Sequence, residues 1–262
     1  MSRNIDNLPS LQGVVREAVI NLLYRLADDD LVIGHRNSEW TGHAPILEAD
    51  IAFSSMAQDE MGHAQAYYTM LHQLGEHEPD TLAFGRKSRE FRCASLVCLP
   101  KGDWGFSVLR QFLYDAAETV RLTAFRDSSL IPLAQLAGKL RGEEKYHLMH
   151  GRSWVLRLGN ATEDSHRKMQ AALDFAYPHA LGLFEPTEYD EPLAQAGISP
   201  REEELKRQWE SAVAPVLADA GLTTADGVEP VNGGRVGRHP DALKELLDKM
   251  QLVYNIDPTA KW

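Results

Sequence analysis

Apolar residues recur every three or four positions along most of the chain, which is the spacing of one face of an α-helix. From residue 11 to about residue 33, for example, leucine, valine and isoleucine keep this spacing without a break. Only a short segment at 95–99 alternates apolar and polar residues in the manner of a β-strand. The sequence therefore predicts an all-α fold.

Polar and glycine-containing breaks separate the periodic segments and predict the helix bounds. A polar break from Gly34 to Gly42 ends the first helix, Pro45 suits the first turn of the second, and Gly75 stops it. A loop of about thirty residues follows, and Pro132 lies in the first turn of the fourth helix. Helices are predicted at about 11–33, 44–74, 105–126, 132–158, 164–184, 200–217 and 241–254.

Four long helices in two pairs, followed by shorter ones, predict a four-helix bundle with additional C-terminal helices. No linker rich in proline, serine or glycine divides the chain. We expect residues 1–262 to form one domain, with a core bundle at about 9–160 and a helical extension at about 161–262.

Composition narrows the location and the partners. There is no run of ~18 apolar residues, and the N-terminus lacks the apolar core of a signal peptide. Cys93 and Cys98 are too few for a disulfide framework, and their spacing matches no common zinc pattern. A cytoplasmic protein that does not enter a membrane is expected. The net charge of −11 argues against nucleic acid as a partner.

Two of the predicted long helices carry the motif Glu-x-x-His. Glu60 and His63 lie on the second helix, and Glu144 and His147 lie on the fourth. Side chains three residues apart share a helix face, so each pair can bind one metal ion. With 20 Glu and 10 His in 262 residues, fewer than one such motif is expected by chance. A third copy, at 163–166, lies in a polar helix start and is not expected to bind metal.

An acidic residue precedes each motif at a distance that brings it to the same height in the bundle. Asp30 lies thirty residues before the first glutamate, and Glu118 lies twenty-six residues before the second, each across a turn. Asp115 is one helical turn from Glu118, and Asp29 remains an alternative to Asp30. The candidate metal ligands are Asp30, Glu60, His63, Glu118, Glu144 and His147.

A metal-free polar layer is the alternative explanation for these residues. Burying unpaired carboxylates costs several kcal/mol, so facing acids require compensating charge. Arg25, Arg121 or Arg141 could supply that charge to the two motif glutamates, with the histidines hydrogen-bonded in the core. Tyr67 and Tyr146, at helical spacing, are expected to pack in the core.

Two other conspicuous segments have ordinary explanations. The glycine-rich segment 232–237 follows no strand and lacks Gly-Lys-Ser/Thr, so we expect a solvated loop and not a phosphate-binding one. The acidic run at 202–204 lies at a predicted helix start, where negative charge favourably meets the helix dipole.

Several segments carry a resemblance to a known family. They are RLADDDLVIGHRNSEWTGHAPILEADIA at 25–52, DTLAFGRKSREFR at 80–92 and YHLMHGRSWVLRLGNATEDSHRKMQ at 146–170, with a further match around Met250 and Gln251. Together they resemble the ring-1,2-phenylacetyl-CoA epoxidase family of bacterial phenylacetate degradation, and most of all its structural C-type component. The resemblance covers most of the chain and is weakest at 185–235.

The resemblance implies a ferritin-like fold and a multicomponent oxygenase that epoxidises the ring of phenylacetyl-CoA with dioxygen. In that family a catalytic A-type component holds the di-iron centre and pairs with the C-type component. A small B-type component bridges such pairs, and an iron–sulfur flavin reductase supplies electrons from NADPH. C-type components commonly lose metal ligands, whereas this chain departs from the catalytic pattern only at Asp30, where a glutamate is expected.

The sequence thus predicts an oxygenase subunit that scaffolds an A-type partner and carries a di-metal site, either occupied by two Fe ions or vestigial. Independent turnover is not expected, and a homodimer is one form open to the chain when it is alone. The alternatives are a self-sufficient ferritin-like di-iron oxidase or ferroxidase, and a metal-free interaction protein.

Overall fold

A computed structural model describes residues 8–258 and 260, and within them the all-α prediction is confirmed. None of the helices in this part of the chain combines the length and the apolar character that crossing a membrane requires. The α-helices there are α1 (Gly13–Ser38), α2 (Leu47–Gln73), α3 (Pro79–Phe84), α4 (Ser95–Cys98), α5 (Trp104–Phe125), α6 (Ile131–Ala161), α7 (Glu163–Leu181), α8 (Asp190–Gln195), α9 (Glu202–Asp219) and α10 (Asp241–Met250).

The four long helices form a bundle of two helical hairpins. α1 packs along α2, and α5 packs along α6. The hairpins face each other through buried polar side chains. Asn37 of α1 donates a 2.8 Å hydrogen bond to Gln111 of α5, and His63 of α2 lies 2.7 Å from Glu143 of α6. One long connection, 74–103, joins the hairpins, as in four-helix bundles with a single crossover.

The first helix does not end at Gly34 as the sequence predicted, but continues to Ser38. A Cβ atom at Gly34 would lie 3.1 Å from the Cβ of Glu60 and 3.2 Å from the carbonyl oxygen of Ala57 on α2. The glycine therefore permits close approach of two helices and does not mark a helix end. Pro45 lies two residues before α2 begins and not within its first turn.

The connection between the hairpins is more ordered than the predicted loop. It contains α3 and α4, and the segment that the sequence offered as a short strand, 95–99, is mostly helical. Two neighbouring aspartates of α1 hold it in place. Asp28 pairs with Arg86 and accepts a 2.6 Å hydrogen bond from the backbone of Arg92, and Asp29 accepts one of 2.7 Å from the backbone of Ala94.

The C-terminal helices pack onto the second hairpin. The indole of Trp209 on α9 is fully buried and donates a 2.9 Å hydrogen bond to the carbonyl of Leu113 on α5. The glycine-rich segment is not the solvated loop that we expected. Its Arg235 is buried, forms a 2.8 Å ion pair with Asp29 and donates a 2.9 Å hydrogen bond to the carbonyl of Leu183.

Candidate metal centre

The six candidate ligands meet in the middle of the bundle. Each of the four long helices contributes at least one of them, and every one is at most 3% exposed. The stripes around the two motifs are otherwise apolar, so the layer is enclosed by the core. The six residues are Asp30 of α1, Glu60 and His63 of α2, Glu118 of α5, and Glu144 and His147 of α6.

The two Glu-x-x-His motifs face each other across the bundle axis. Nδ1 of His63 lies 3.7 Å from Glu60 and 3.6 Å from Glu144, and Nδ1 of His147 lies 3.5 Å from Glu60 and 3.3 Å from Glu144. The two imidazole rings are nearly parallel, with centroids 6.3 Å apart. Both inner ring nitrogens therefore point at the same two carboxylates.

The outer ring nitrogens are held by a reciprocal pair of acids. Nε2 of His63 on α2 lies 2.7 Å from Glu143 of α6, and Nε2 of His147 on α6 lies 3.1 Å from Asp59 of α2. A carboxylate at one nitrogen fixes the tautomer and leaves the other nitrogen free to bind a metal. The sequence did not single out either acid, although each immediately precedes the glutamate of a motif.

One group that could hold a metal ion consists of Asp30, Glu60 and His63. One donor atom from each lies within 4.8 Å of the others. Asp30 also accepts a hydrogen bond from the hydroxyl of Tyr114. Asp29 faces the opposite side of α1, where it binds Arg235. The geometry thus decides between the two aspartates and puts Asp30 in the cluster.

A second group shares Glu60 and adds Asp115 and His147, with donor atoms again within 4.8 Å. Asp115, one turn from Glu118, is not among the six ligands that the sequence predicts. Gln111 holds it in place, donating a 2.5 Å hydrogen bond to Asp115 and one of 3.4 Å to Glu60. Asp115 is therefore the carboxylate of α5 that lies nearest this part of the cluster.

Glu118 lies in the same layer but belongs to neither group. Its carboxylate accepts a 2.8 Å hydrogen bond from Arg121, one turn further along α5. Burial raises the pKa of Glu118 to about 7, and the charge of Arg121 opposes that rise. The arginine therefore already supplies a positive partner to this predicted ligand.

The arginines proposed as a substitute for metal do not reach the motif glutamates. Arg25 pairs with Glu202, Arg121 pairs with Glu118 and lies 3.6 Å from Glu202, and Arg141 is exposed. Among the described residues, neither motif glutamate forms an ion pair with an arginine. The metal-free arrangement that we considered from the sequence is thus not the one observed.

The charges of the cluster are strongly coupled. Burial acts to raise the pKa of Glu60, but His147 and His63 outweigh it and lower that pKa to about 2. Burial acts to lower the pKa of His63 and His147, but the neighbouring carboxylates raise these values to about 10 and about 12. Without a cation, both imidazoles therefore carry the positive charge that balances the layer.

Several polar atoms of the cluster are buried without a hydrogen-bond partner. They are Oε2 of Glu60, both carboxylate oxygens of Glu144, Oδ2 of Asp115 and Nδ1 of His147. Leaving such atoms unpaired costs roughly 1–3 kcal/mol each, and more when they are charged. Carboxylate oxygens and imidazole nitrogens converging in this number suit transition-metal ions such as iron. The residues present therefore fit a two-metal centre that shares Glu60.

The remaining predicted residues behave differently from one another. Tyr67 is fully buried, as expected for packing, and its hydroxyl has no hydrogen-bond partner. Tyr146 is 66% exposed, so its predicted place in the core was wrong. In the third motif, His166 is hydrogen-bonded at 2.9 Å to the backbone of Gly159 beside an exposed glutamate.

Comparison with known proteins gives the same family as the resemblance in the sequence. Residues 6–262 match the family model described as phenylacetic acid catabolic protein. The chain is 34% identical over 239 residues to the C subunit of the 1,2-phenylacetyl-CoA epoxidase of Escherichia coli (strain K12), covering 91% of this chain and 96% of that protein. It is 23% identical over 216 residues to the A subunit of the same enzyme from that organism, covering 80% and 70%. The chain therefore belongs to the phenylacetic acid catabolic protein family.

Proposed function

We propose that this chain is the C-type component of a multicomponent oxygenase that epoxidises phenylacetyl-CoA in phenylacetate catabolism. The observation that carries the proposal is the alignment with the C subunit of the Escherichia coli epoxidase, which runs through 96% of that protein. The alignment with the A subunit is weaker and covers less of both chains. The C-type role is therefore the better supported of the two.

The partner that this role requires is an A-type protein. The A and C subunits of one enzyme are both similar to this chain, so the three share a common family. Related subunits with similar surfaces commonly assemble through pseudo-symmetric interfaces. In this role the chain scaffolds the A-type partner, with a small B-type component and a reductase completing the system.

A di-iron site in this chain is the second part of the proposal. Asp30, Glu60 and His63 would hold one ion, and Glu60, Asp115 and His147 would hold the other. When bound, a pair of ferrous ions supplies the capacity to reduce and activate dioxygen. Glu144, which faces both imidazoles, supplies a further carboxylate to the shared region.

The side chains around the site prepare it for cations. Asp59 and Glu143 each hold the outer nitrogen of a histidine, so that the inner nitrogens face the shared carboxylates. Because the pKa of both histidines is raised in the metal-free chain, metal binding must displace their protons. The surrounding apolar core excludes water from this layer.

The first experiment measures iron in protein produced with iron, beside the double variant Glu60→Ala plus Glu144→Ala. We expect about two irons per chain in the wild type, from the two donor groups, and loss of both in the variant. The matched control replaces two exposed glutamates, Glu163→Ala plus Glu203→Ala. A wild type without iron and with an intact fold would leave the scaffold role and remove the metal part of the proposal.

The second experiment coexpresses the chain with an A-type partner. A stable complex of fixed stoichiometry, in which epoxidation of phenylacetyl-CoA depends on both proteins, is the expected result. A chain that ignores the A-type partner and consumes dioxygen alone would instead support a self-sufficient di-iron oxidase. That alternative rests on one observation, the near-complete set of metal-ligating residues in this chain.

A further inference from the structure

The two cysteines of the chain meet outside the metal centre. Cys93 lies just before α4 and Cys98 ends it, so one turn of helix brings their Sγ atoms to 3.4 Å from each other. Both side chains are fully buried. The sequence spacing alone indicated no zinc site, because the third member of the cluster comes from a distant part of the chain.

That third member is His239, which lies just before α10. Its Nδ1 atom is 3.9 Å from the sulfur of Cys93 and 3.9 Å from that of Cys98. Its Nε2 atom lies 3.1 Å from the carbonyl oxygen of Phe91. A carbonyl can only accept, so Nε2 carries the proton and the lone pair of Nδ1 faces the two sulfurs.

The glycine-rich segment 232–237 delivers this histidine. A Cβ atom at Gly234 would lie 2.2 Å from the carbonyl oxygen of Cys93, and one at Gly237 would lie 2.2 Å from that of Arg89. Only glycine permits the backbone to come so close. The segment therefore lies directly on the cysteine-bearing stretch, and this contact places His239 beside the sulfurs.

We propose that Cys93, Cys98 and His239 bind one Zn²⁺ ion. In a triangle with sides of 3.4, 3.9 and 3.9 Å, the point equidistant from the three donor atoms lies about 2.2 Å from each, within the range of zinc–nitrogen and zinc–sulfur bonds of about 2.0–2.3 Å. A tetrahedral ion takes its fourth ligand from water, which can enter because His239 is only partly buried.

Charge favours a divalent ion. Binding releases one proton from each cysteine, and two thiolates, a neutral imidazole and Zn²⁺ sum to zero. A neutral site suits these surroundings, because an uncompensated charge among fully buried side chains is costly. A monovalent ion such as Cu⁺ would leave one negative charge. A disulfide would require the sulfurs to approach to about 2.05 Å and would leave the lone pair of His239 without a partner.

The ion would act as a structural clamp, by which we mean a cross-link from the segment before α10 to the connection between the hairpins. The same glycine-rich segment carries Arg235, which pairs with Asp29 on α1. Asp29 is adjacent to Asp30 of the metal centre. The clamp thus fixes the far side of the turn of α1 that presents a candidate iron ligand.

Cobalt spectroscopy tests the zinc site directly. Metal-free, reduced wild-type protein is titrated with Co²⁺, and we expect thiolate-to-cobalt charge-transfer absorption that saturates at one equivalent and disappears when Zn²⁺ is added. The chain has only two cysteines, so such absorption reports on this cluster alone. The variant Glu60→Ala plus Glu144→Ala should keep the band, which separates this site from the proposed iron centre.

Two further measurements complete the test. A mercurial thiol reagent should release one zinc per chain from protein purified with zinc, and Cys93→Ser plus Cys98→Ser should lack both this zinc and the cobalt band. If that variant does not fold, the wild-type titration decides by itself. Wild-type protein without a thiolate band, whether its cysteines titrate as free thiols or are joined in a disulfide, would overturn the proposal.

Discussion

The imidazole of His63 on α2 is held by Glu143 of α6, at 2.7 Å, and not by an acid of its own helix. The other motif repeats the arrangement in reverse, with His147 of α6 held at 3.1 Å by Asp59 of α2. Each acid immediately precedes the glutamate of its own motif. The pairing of α2 with α6 and the orientation of both candidate histidine ligands therefore depend on the same contacts.

This reciprocity predicts the effect of removing an outer acid. We expect Glu143→Ala or Asp59→Ala to weaken iron binding by about 10- to 100-fold, because the histidine loses the group that orients it. The fold should persist, since the two carboxylates are 44% and 36% exposed. Competition between the metal-free protein and a chromophoric Fe²⁺ chelator measures the affinity.

The control for these variants is Glu163→Ala, which removes the glutamate of the third, unpartnered motif. It should leave iron affinity unchanged. Equal affinities for wild type, Glu143→Ala and Asp59→Ala would mean that the outer acids do not position the histidines for metal.

The helices and the two motifs could be predicted because both depend on local periodicity. Apolar spacing gives a helix its buried face, and a three-residue interval puts Glu60 and His63 on one side of a helix whatever surrounds it. The selection of one carboxylate from several is a different matter. Asp29 and Asp30 differ by about 100° around α1, and the partner Arg235 that holds Asp29 lies two hundred residues away.

The remaining errors share a cause in tertiary contact. Gly34 is explained by the close passage of α2 and not by a helix end. Glu202, at the start of α9, is buried between Arg25 and Arg121, so the helix dipole is not its main partner. The sequence does not reveal that Arg121 already occupies Glu118, which is why it favours that glutamate as the ligand of α5. In each case the deciding atom belongs to another helix or to another turn of the same one.

The close approach at Gly34 predicts sensitivity to a larger side chain. Gly34→Val places methyl groups against Glu60 and the carbonyl of Ala57, so we expect a loss of about 1–3 kcal/mol of unfolding free energy and weaker iron binding, since Glu60 is displaced. Gly138→Ala on α6 is the control. A Cβ there meets nothing within 4 Å, and alanine should add up to about 1 kcal/mol through helix propensity. Urea denaturation compares the two, and a Gly34→Val protein as stable as the wild type would contradict the prediction.

The buried ion network at Glu202 predicts a pH-dependent contribution to stability. Burial acts to raise the pKa of Glu202, but the charges of Arg25, Arg121 and Arg235 outweigh it and lower that pKa below its ordinary 4.5. A carboxyl whose pKa is lower in the folded chain stabilises it above the unfolded pKa and loses this effect as the pH falls through the folded pKa.

At pH 7 we therefore expect Glu202→Gln to lose roughly 3–5 kcal/mol, because it leaves buried arginines without their negative partner. The difference from the wild type should narrow as the pH falls below about 4.5, where the wild-type carboxyl begins to lose the same charge. Glu203→Gln, at the exposed neighbouring position, is the matched control and should change stability by no more than about 0.5 kcal/mol at either pH. Denaturant titrations at neutral and acidic pH measure both differences. A constant gap between Glu202→Gln and the wild type would show that the charge of Glu202 does not hold α9 against the bundle.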